Sequence, residues 1–203
     1  MIGATFCSGI GAPEVAAPWV DWRFASEIEP FRRAVLTERF GYCEPETQNW
    51  GEPLLWGDMQ TITPGLWREH RIPLPELIVA GTPCQSFSVA GLRKGFKDDR
   101  GNLTLKFVDL CHDIVTSRPD GKLIVLWENV LGVLSDSGNA FGAFLGRLVG
   151  AMDALSPPAD RRWPGEGMVE GPRARAAWSV LDAQYFGVAQ RRRRVFVIVD
   201  FGN

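Results

Sequence analysis

Short apolar segments alternate with segments of helical spacing along most of this chain, and this alternation restricts the possible folds more than any other feature. The clearest segment, residues 76–80, is a largely apolar run between Pro75 and Gly81, as in strands that are buried on both faces of a parallel sheet. Strands that alternate with helices predict a doubly wound α/β fold with a mostly parallel sheet. In such folds the ligand site lies beyond the carboxyl ends of the strands.

The pattern also predicts where the individual elements lie. Strands are predicted at residues 2–7, 22–28, 55–59, 76–80, 123–127, 177–182 and 195–201, and helices at residues 14–17, 31–40, 103–117 and 141–155. The last two strands are expected to close the sheet as an antiparallel hairpin, whereas residues 157–172 are predicted to be a loop. The length of 203 residues and the average composition favour one domain over residues 1–203.

Charge and cysteine content exclude several classes of protein. With 22 basic and 24 acidic side chains the net charge is −2, so contact with nucleic acid requires a local basic patch. The four cysteines form no CxxC pair and the chain has two histidines, so we expect reduced thiols and no metal site. The sequence has neither a signal peptide pattern nor an apolar run of membrane-spanning length, which predicts a cytoplasmic protein without membrane contact.

A glycine turn follows the first predicted strand. Gly9 and Gly11 stand between a strand and a helix, where glycines let the backbone approach a nucleotide-like ligand. Glu14 takes the place of the third glycine of the dinucleotide fingerprint, and a negative charge at a helix N-terminus disfavours a pyrophosphate. A nucleoside ligand without phosphates fits better. Glu27 is placed to bind ribose hydroxyls and Asp58 to bind an adenine amino group, although ordinary loop carboxylates explain these two residues equally well.

Two further predicted strands end near side chains that can take part in a reaction. Cys84 follows the strand at 76–80 and is a candidate nucleophile, although a free cysteine is more often a small buried apolar residue. Glu128 ends the next strand, where burial would let it hold or give a proton at neutral pH. In the arginine run 191–194, Arg192 and Arg194 are expected to share one face of an extended chain, which leaves the other two arginines for phosphates.

Together, CSGIGA (7–12), TPCQSFSVAG (82–91), WENV (127–130) and QRRRRVF (190–196), in this order, resemble the signature blocks of the DNA cytosine-5 methyltransferases. The resemblance covers nearly the whole chain, because RKGFKDDRGNL (93–103) also matches the loop that follows that family's catalytic cysteine. It implies the methyltransferase variant of the doubly wound sheet, S-adenosylmethionine as methyl donor, and DNA methylation of the kind found in restriction-modification.

The resemblance also implies roles for individual residues. Cys84 would attack C6 of a flipped-out cytosine, Glu128 would hold N3 and the exocyclic amine, and Arg192 and Arg194 would lie near the base. The implied donor-binding residues are Cys7, Ser8, Gly9, Gly11, Glu27, Ile28, Asp58, Met59, Pro83 and Leu103. The chemistry agrees, since C5 of cytosine attacks a methyl group only after a thiolate has added at C6. Residues 86–101 are the candidate clamp that fills the gap left by the flipped base.

The sequence departs from the family after its arginine block, where the family continues into a target-recognition region and a final helix that do not follow Asn203 here. A second polypeptide carrying that region is one partner that this interpretation allows, beside DNA. Two alternatives remain open at this point. One is a truncated or inactive remnant that binds the donor or a partner without turnover, and the other is a tRNA cytosine-5 methyltransferase.

Overall fold

Eight strands form one mixed sheet in the computed structural model, which describes residues 1–83, 102–158 and 162–202. The order across the sheet is β3-β2-β1-β4-β5-β8-β7-β6. The first five strands are parallel, and β8 lies antiparallel between β5 and β7. The strands are β1 Ile2–Phe6, β2 Asp21–Ser26, β3 Leu54–Trp56, β4 Leu77–Ala80, β5 Ile124–Val130, β6 Glu166–Glu170, β7 Arg175–Asp182 and β8 Arg193–Asp200. The predicted mostly parallel sheet with an antiparallel closing hairpin is confirmed.

Helices pack against both faces of this sheet. The helices are α1 Ala12–Ala16, α2 Pro30–Phe40, α3 Leu66–Glu69, α4 Asn102–Ser117 and α5 Ala140–Val149. The larger core lies on the face of α3, α4 and α5, where Trp127 and Phe144 have ring centroids 4.4 Å apart. The opposite face carries a smaller cluster of Ala25, Leu36, Tyr42 and Leu55 under α2. None of the helices in the described ranges is long and apolar enough to cross a membrane.

Helix α2 has sequence signals at both ends, and its boundaries were therefore predictable. Glu29 accepts hydrogen bonds from the backbone N–H groups of Phe31 and Arg32, and Pro30 stands at the first helical position. Gly41 ends the helix with a φ of 70°, and its N–H donates to Thr37 O. These caps start α2 three residues after Glu27.

Two predictions about the second half of the chain are wrong. The helix predicted at 141–155 ends at Val149, because Gly150 takes a left-handed φ of 78° and residues 151–155 fold back along the helix. This return is possible because Gly142 has no Cβ, which would otherwise collide with Leu155 O. The loop predicted at 157–172 contains the edge strand β6, which pairs with β7.

The order of the sheet reverses between β1 and β4, and this reversal determines where a ligand can bind. From β1 the chain proceeds to β2 on one side, whereas β4 leads to β5 on the other side. A crevice therefore opens beyond the carboxyl ends of β1 and β4. The two segments that leave these ends lie side by side, since Gly81 N donates to Phe6 O at 3.3 Å.

Candidate active site

A first cleft of about 390 Å³ lies at this crevice. It contains seven of the ten residues predicted to bind a donor, namely Cys7, Glu27, Ile28, Asp58, Met59, Pro83 and Leu103. Sequence reasoning missed five other lining residues, which are Ser26, Arg32, Gly57, Gln60 and Gly81. Ser26 ends the parallel strand β2, and Gly57 and Gly81 directly follow the parallel strands β3 and β4. Their positions at strand ends were therefore the signal in the sequence that could have identified these three residues.

Glu27 is the most firmly held side chain of the first cleft. Only 3% of its side chain is exposed, and its carboxylate accepts hydrogen bonds from the backbone N–H groups of Gly9, Ile28 and Glu29 at 2.8 to 3.1 Å. Arg32 Nη1 lies 3.7 Å from its Oε1. Because Oε1 accepts two of these bonds and Oε2 one, Oε2 keeps a lone pair for a further donor. A fixed carboxylate of this kind suits hydroxyl groups of a bound ligand.

The other three predicted residues, Ser8, Gly9 and Gly11, do not line the cleft but support it. Gly9 N donates to Glu27 Oε2, and Ser8 N and Oγ both donate to Ser26 O, at 3.1 and 3.2 Å. Gly11 has a φ of 88°, and a Cβ at this position would collide with the Phe40 ring of α2. The glycine turn therefore sets the distance between β1, Glu27 and α2.

The electrostatics of the first cleft are mostly negative. Glu27 and Asp58 face it with Arg32 as the cationic lining residue among those described. Burial, reinforced by these two carboxylates, raises the pKa of Cys7 to about 11. Cys7 is therefore an uncharged thiol at neutral pH, and the cleft disfavours phosphate groups. It suits a ligand that carries hydroxyl groups and positive charge.

A second cleft, of about 300 Å³, lies on the same end of the sheet. It is lined by Glu128, Leu181, Ala183, Phe186, Arg192, Arg194 and Phe196. Arg194 Nε lies 3.0 Å from Glu128 Oε1, and Arg192 Nη2 lies 3.9 Å from the same oxygen. The structure thus brings together Glu128, Arg192 and Arg194, three of the four residues predicted to act in catalysis. Glu128 lies within β5, which extends three residues beyond the predicted strand end, and it is half-buried, with 32% of its side chain exposed.

Gly81 joins the two clefts. It lines the first cleft, and a Cβ at Gly81 would lie 3.6 Å from Glu128 Oε2 in the second. Cys84 follows Pro83, another lining residue of the first cleft, by one position in the sequence. Cys84 itself and the candidate clamp 86–101 lie outside the described residues. Among the residues that the structure does describe, no cluster of three or more His, Cys, Asp and Glu side chains is arranged to hold a metal ion.

Glu14 is buried at the start of α1 and does not line the first cleft, contrary to the expectation from the sequence. Its side chain is buried beneath the glycine turn, where Tyr42 Oη and Thr5 Oγ1 donate to Oε1 at 2.9 and 3.1 Å. Its Oε2 is buried without a hydrogen-bond partner. Burial raises the pKa of Glu14 above its ordinary value, since desolvation disfavours the carboxylate.

This burial predicts a pH-dependent stability. Because the folded state favours protonated Glu14, the stability contributed by its neutral form is present below pH 4.5 and is lost as the pH rises through the raised pKa. Glu14→Gln, which stays neutral, is therefore expected to become more stable relative to the wild type as the pH rises from acidic to mildly alkaline values. Urea unfolding at both pH values measures this difference. Glu38→Gln, at an exposed position of α2, is the control. If the difference in free energy of unfolding between Glu14→Gln and the wild type does not change with pH, the raised pKa of Glu14 is contradicted.

The strand order and the two adjoining clefts define a methyltransferase fold. Among solved structures, the Dnmt2 methyltransferase of S. pombe matches with a TM-score of 0.61 over 100% of this chain and 50% of its own, at 15% sequence identity. The chain belongs to the C-5 cytosine-specific DNA methylase family, because the model of that family matches residues 20–150, more than half of the chain.

Two curated relatives extend this comparison. Type II methyltransferase M.NgoBV of Neisseria gonorrhoeae is 30% identical over 86% of this chain and 33% of its own length. A protein of Escherichia phage P1 named DNA N-6-adenine-methyltransferase is 43% identical over 95% of this chain and 27% of its own length. The chain thus spans about a quarter to a third of these relatives, and most of the phage protein lies outside the match. The comparisons give no support for a separate polypeptide that supplies target recognition.

Proposed function

We propose that this chain transfers a methyl group from S-adenosylmethionine to C5 of a cytosine in DNA, with Cys84 as the nucleophile. The observation that carries this proposal is the junction at Gly81, where a cleft suited to a phosphate-free nucleoside adjoins a cleft that contains Glu128, Arg192 and Arg194. Methyl transfer requires a donor and an acceptor on the two sides of such a junction. The family of the chain supports the same reaction.

The residues of the first cleft fit the donor. Glu27 Oε2 keeps a lone pair for a ribose hydroxyl, and Asp58 faces the cleft beside the apolar side chains of Ile28 and Met59, which suit an adenine ring. The carboxylates favour a positively charged ligand over one with phosphates. When bound, S-adenosylmethionine supplies an electrophilic methyl group on a sulfonium centre.

The chain itself performs the activation of cytosine. The Cys84 thiolate adds to C6, so that the ring electrons move to C5 and form the new bond to the methyl group, while the bond between this methyl group and the donor sulfur breaks and leaves its electron pair on that sulfur. Release of the C5 proton to solvent then returns an electron pair to the ring, and the C6–S bond breaks to restore the thiolate. Glu128 holds the N3 and exocyclic amine edge, which offsets the charge that develops on the ring.

Entry of a base changes the pairing of Glu128. Arg194 Nε lies 3.0 Å from Glu128 Oε1. A base that pairs with Glu128 through its N3 and exocyclic amine edge has to replace this contact. Arg194 is then free to donate to the base.

The name of the phage relative favours a second candidate reaction, methylation of adenine N6. That reaction uses the lone pair of an exocyclic amine and has no step that requires a thiol such as Cys84. Incubation of the chain with labelled S-adenosylmethionine and mixed-sequence duplex DNA, followed by hydrolysis to nucleosides and mass spectrometry, separates the two reactions. We expect 5-methylcytosine. N6-methyladenine as the labelled product, or 5-methylcytosine formed in tRNA and not in DNA, would overturn the proposal.

A further inference from the structure

The turn between β7 and β8, residues 183–192, exposes aromatic side chains beside the second cleft. Tyr185 is 80% exposed and Phe186 is 65% exposed. Both follow Asp182 in a short 3-10 helix, Ala183–Phe186. Of these two aromatic residues, Phe186 lines the second cleft together with Glu128 and Arg194, whereas Tyr185 does not. Large apolar side chains that remain exposed beside a charged cleft indicate a binding function.

The turn is held at both ends by specific hydrogen bonds. The Asp182 carboxylate is buried and accepts from Arg192 N at 3.0 Å and from Gln184 Nε2 at 2.8 Å. Ala183 N donates to Arg192 O at 3.1 Å, which closes the base of the turn. These bonds join the start of the short helix that contains Phe186 to Arg192, which lines the same cleft and lies 3.9 Å from Glu128.

The lining of the second cleft matches one kind of ligand. Phe186, Phe196 and Leu181 provide apolar walls, and Glu128 with its arginines provides hydrogen-bonding groups along one edge. A flat heteroaromatic ring has apolar faces and a polar edge, and stacking on an aromatic side chain stabilises an unstacked nucleobase. We propose that Phe186 is the residue on which the base stacks after it leaves the duplex. This inference rests on the proposed function and adds a base-binding contact to it.

Fluorescence of a cytosine analogue tests the stacking directly. A short thymine oligonucleotide carrying one pyrrolocytosine is titrated with the full chain, because a single strand removes the cost of base flipping and needs no known target sequence. The wild type is expected to quench the analogue on binding. Phe186→Ala is expected to weaken binding about 10- to 100-fold and to abolish the quenching, whereas Phe186→Tyr restores both. Tyr185→Ala is the matched control and is expected to bind within about twofold of the wild type.

Methyl transfer to DNA by the same variants separates this inference from the proposed function. Phe186→Ala is expected to raise KM for DNA, with KM for S-adenosylmethionine and the unfolding midpoint unchanged. If Phe186→Ala matches Tyr185→Ala in binding and quenching, the stacking role is wrong even when the wild type forms 5-methylcytosine. If the wild type forms no 5-methylcytosine but Phe186 still controls quenching, the proposed reaction is wrong and the base-stacking role holds.

Discussion

Replacement of Cys84 by serine is expected to lower methyl transfer at least about a thousandfold while donor affinity stays unchanged. A serine hydroxyl is almost fully protonated at neutral pH and adds poorly to C6, whereas a thiol supplies an appreciable thiolate fraction. The measurements are the transfer rate with labelled S-adenosylmethionine and the donor dissociation constant by calorimetry. The donor dissociation constant has to be measured as well, because Pro83, next to Cys84 in the sequence, lines the first cleft.

Cys43→Ser is the matched control for this experiment. Cys43 is a free, partly exposed thiol that donates to Glu52 Oε2 at 3.4 Å, a contact that a serine hydroxyl reproduces. The control is expected to retain activity within about twofold. Turnover of Cys84→Ser within tenfold of the wild type would exclude the covalent mechanism. A covalent complex of the wild type with DNA that contains 5-fluorocytosine, absent from Cys84→Ser, would support it independently.

Glu27→Ala is expected to have the second largest effect, on donor binding and on stability together. The substitution leaves three backbone N–H groups, of Gly9, Ile28 and Glu29, without their acceptor near a buried position. Each such loss costs about 1 to 3 kcal/mol when the group remains unsatisfied, so we expect the free energy of unfolding to fall by about 3 kcal/mol. Donor affinity is expected to fall at least about 100-fold, since the ribose acceptor is removed as well.

Glu29→Ala separates these two effects. Glu29 accepts from two backbone N–H groups at the start of α2, but it does not line the first cleft. Loss of this cap is expected to lower the free energy of unfolding by about 1 kcal/mol with little change in donor affinity. Urea denaturation measures the free energy of unfolding of both variants, and calorimetry measures their donor affinity. Equal losses of donor affinity in the two variants would mean that Glu27 acts only by holding the backbone.

The parallel part of the fold was predictable because local signals agree with the tertiary arrangement there. Helix α2 has Glu29, Pro30 and Gly41 at its ends, and β4 is an apolar run that ends at Gly81. The edge strand β6 was missed because its five residues, Glu-Gly-Met-Val-Glu, have a charge at each end and a glycine inside, and its pairing with β7 is set by tertiary contact. Edge strands often carry such charged residues.

The candidate site was predictable where the chemistry belongs to a side chain at a strand end. Glu27 and Glu128 were identified in this way, and each lies in one of the two clefts. Gly57 and Gly81 line the first cleft through their small size, which gives no chemical signal in a sequence. Glu14 was misinterpreted because its partner Tyr42 lies 28 positions away and becomes its neighbour only in the folded chain.

A residue without a side chain, Gly81, stands where the two clefts meet. Any larger side chain there would extend toward Glu128 and at the same time occupy space beside the ligand of the neighbouring cavity. Tolerance of substitution at this single position therefore reports on both clefts at once. A series of increasing side-chain volume at this position would measure how much space the junction must keep for the proposed methyl transfer.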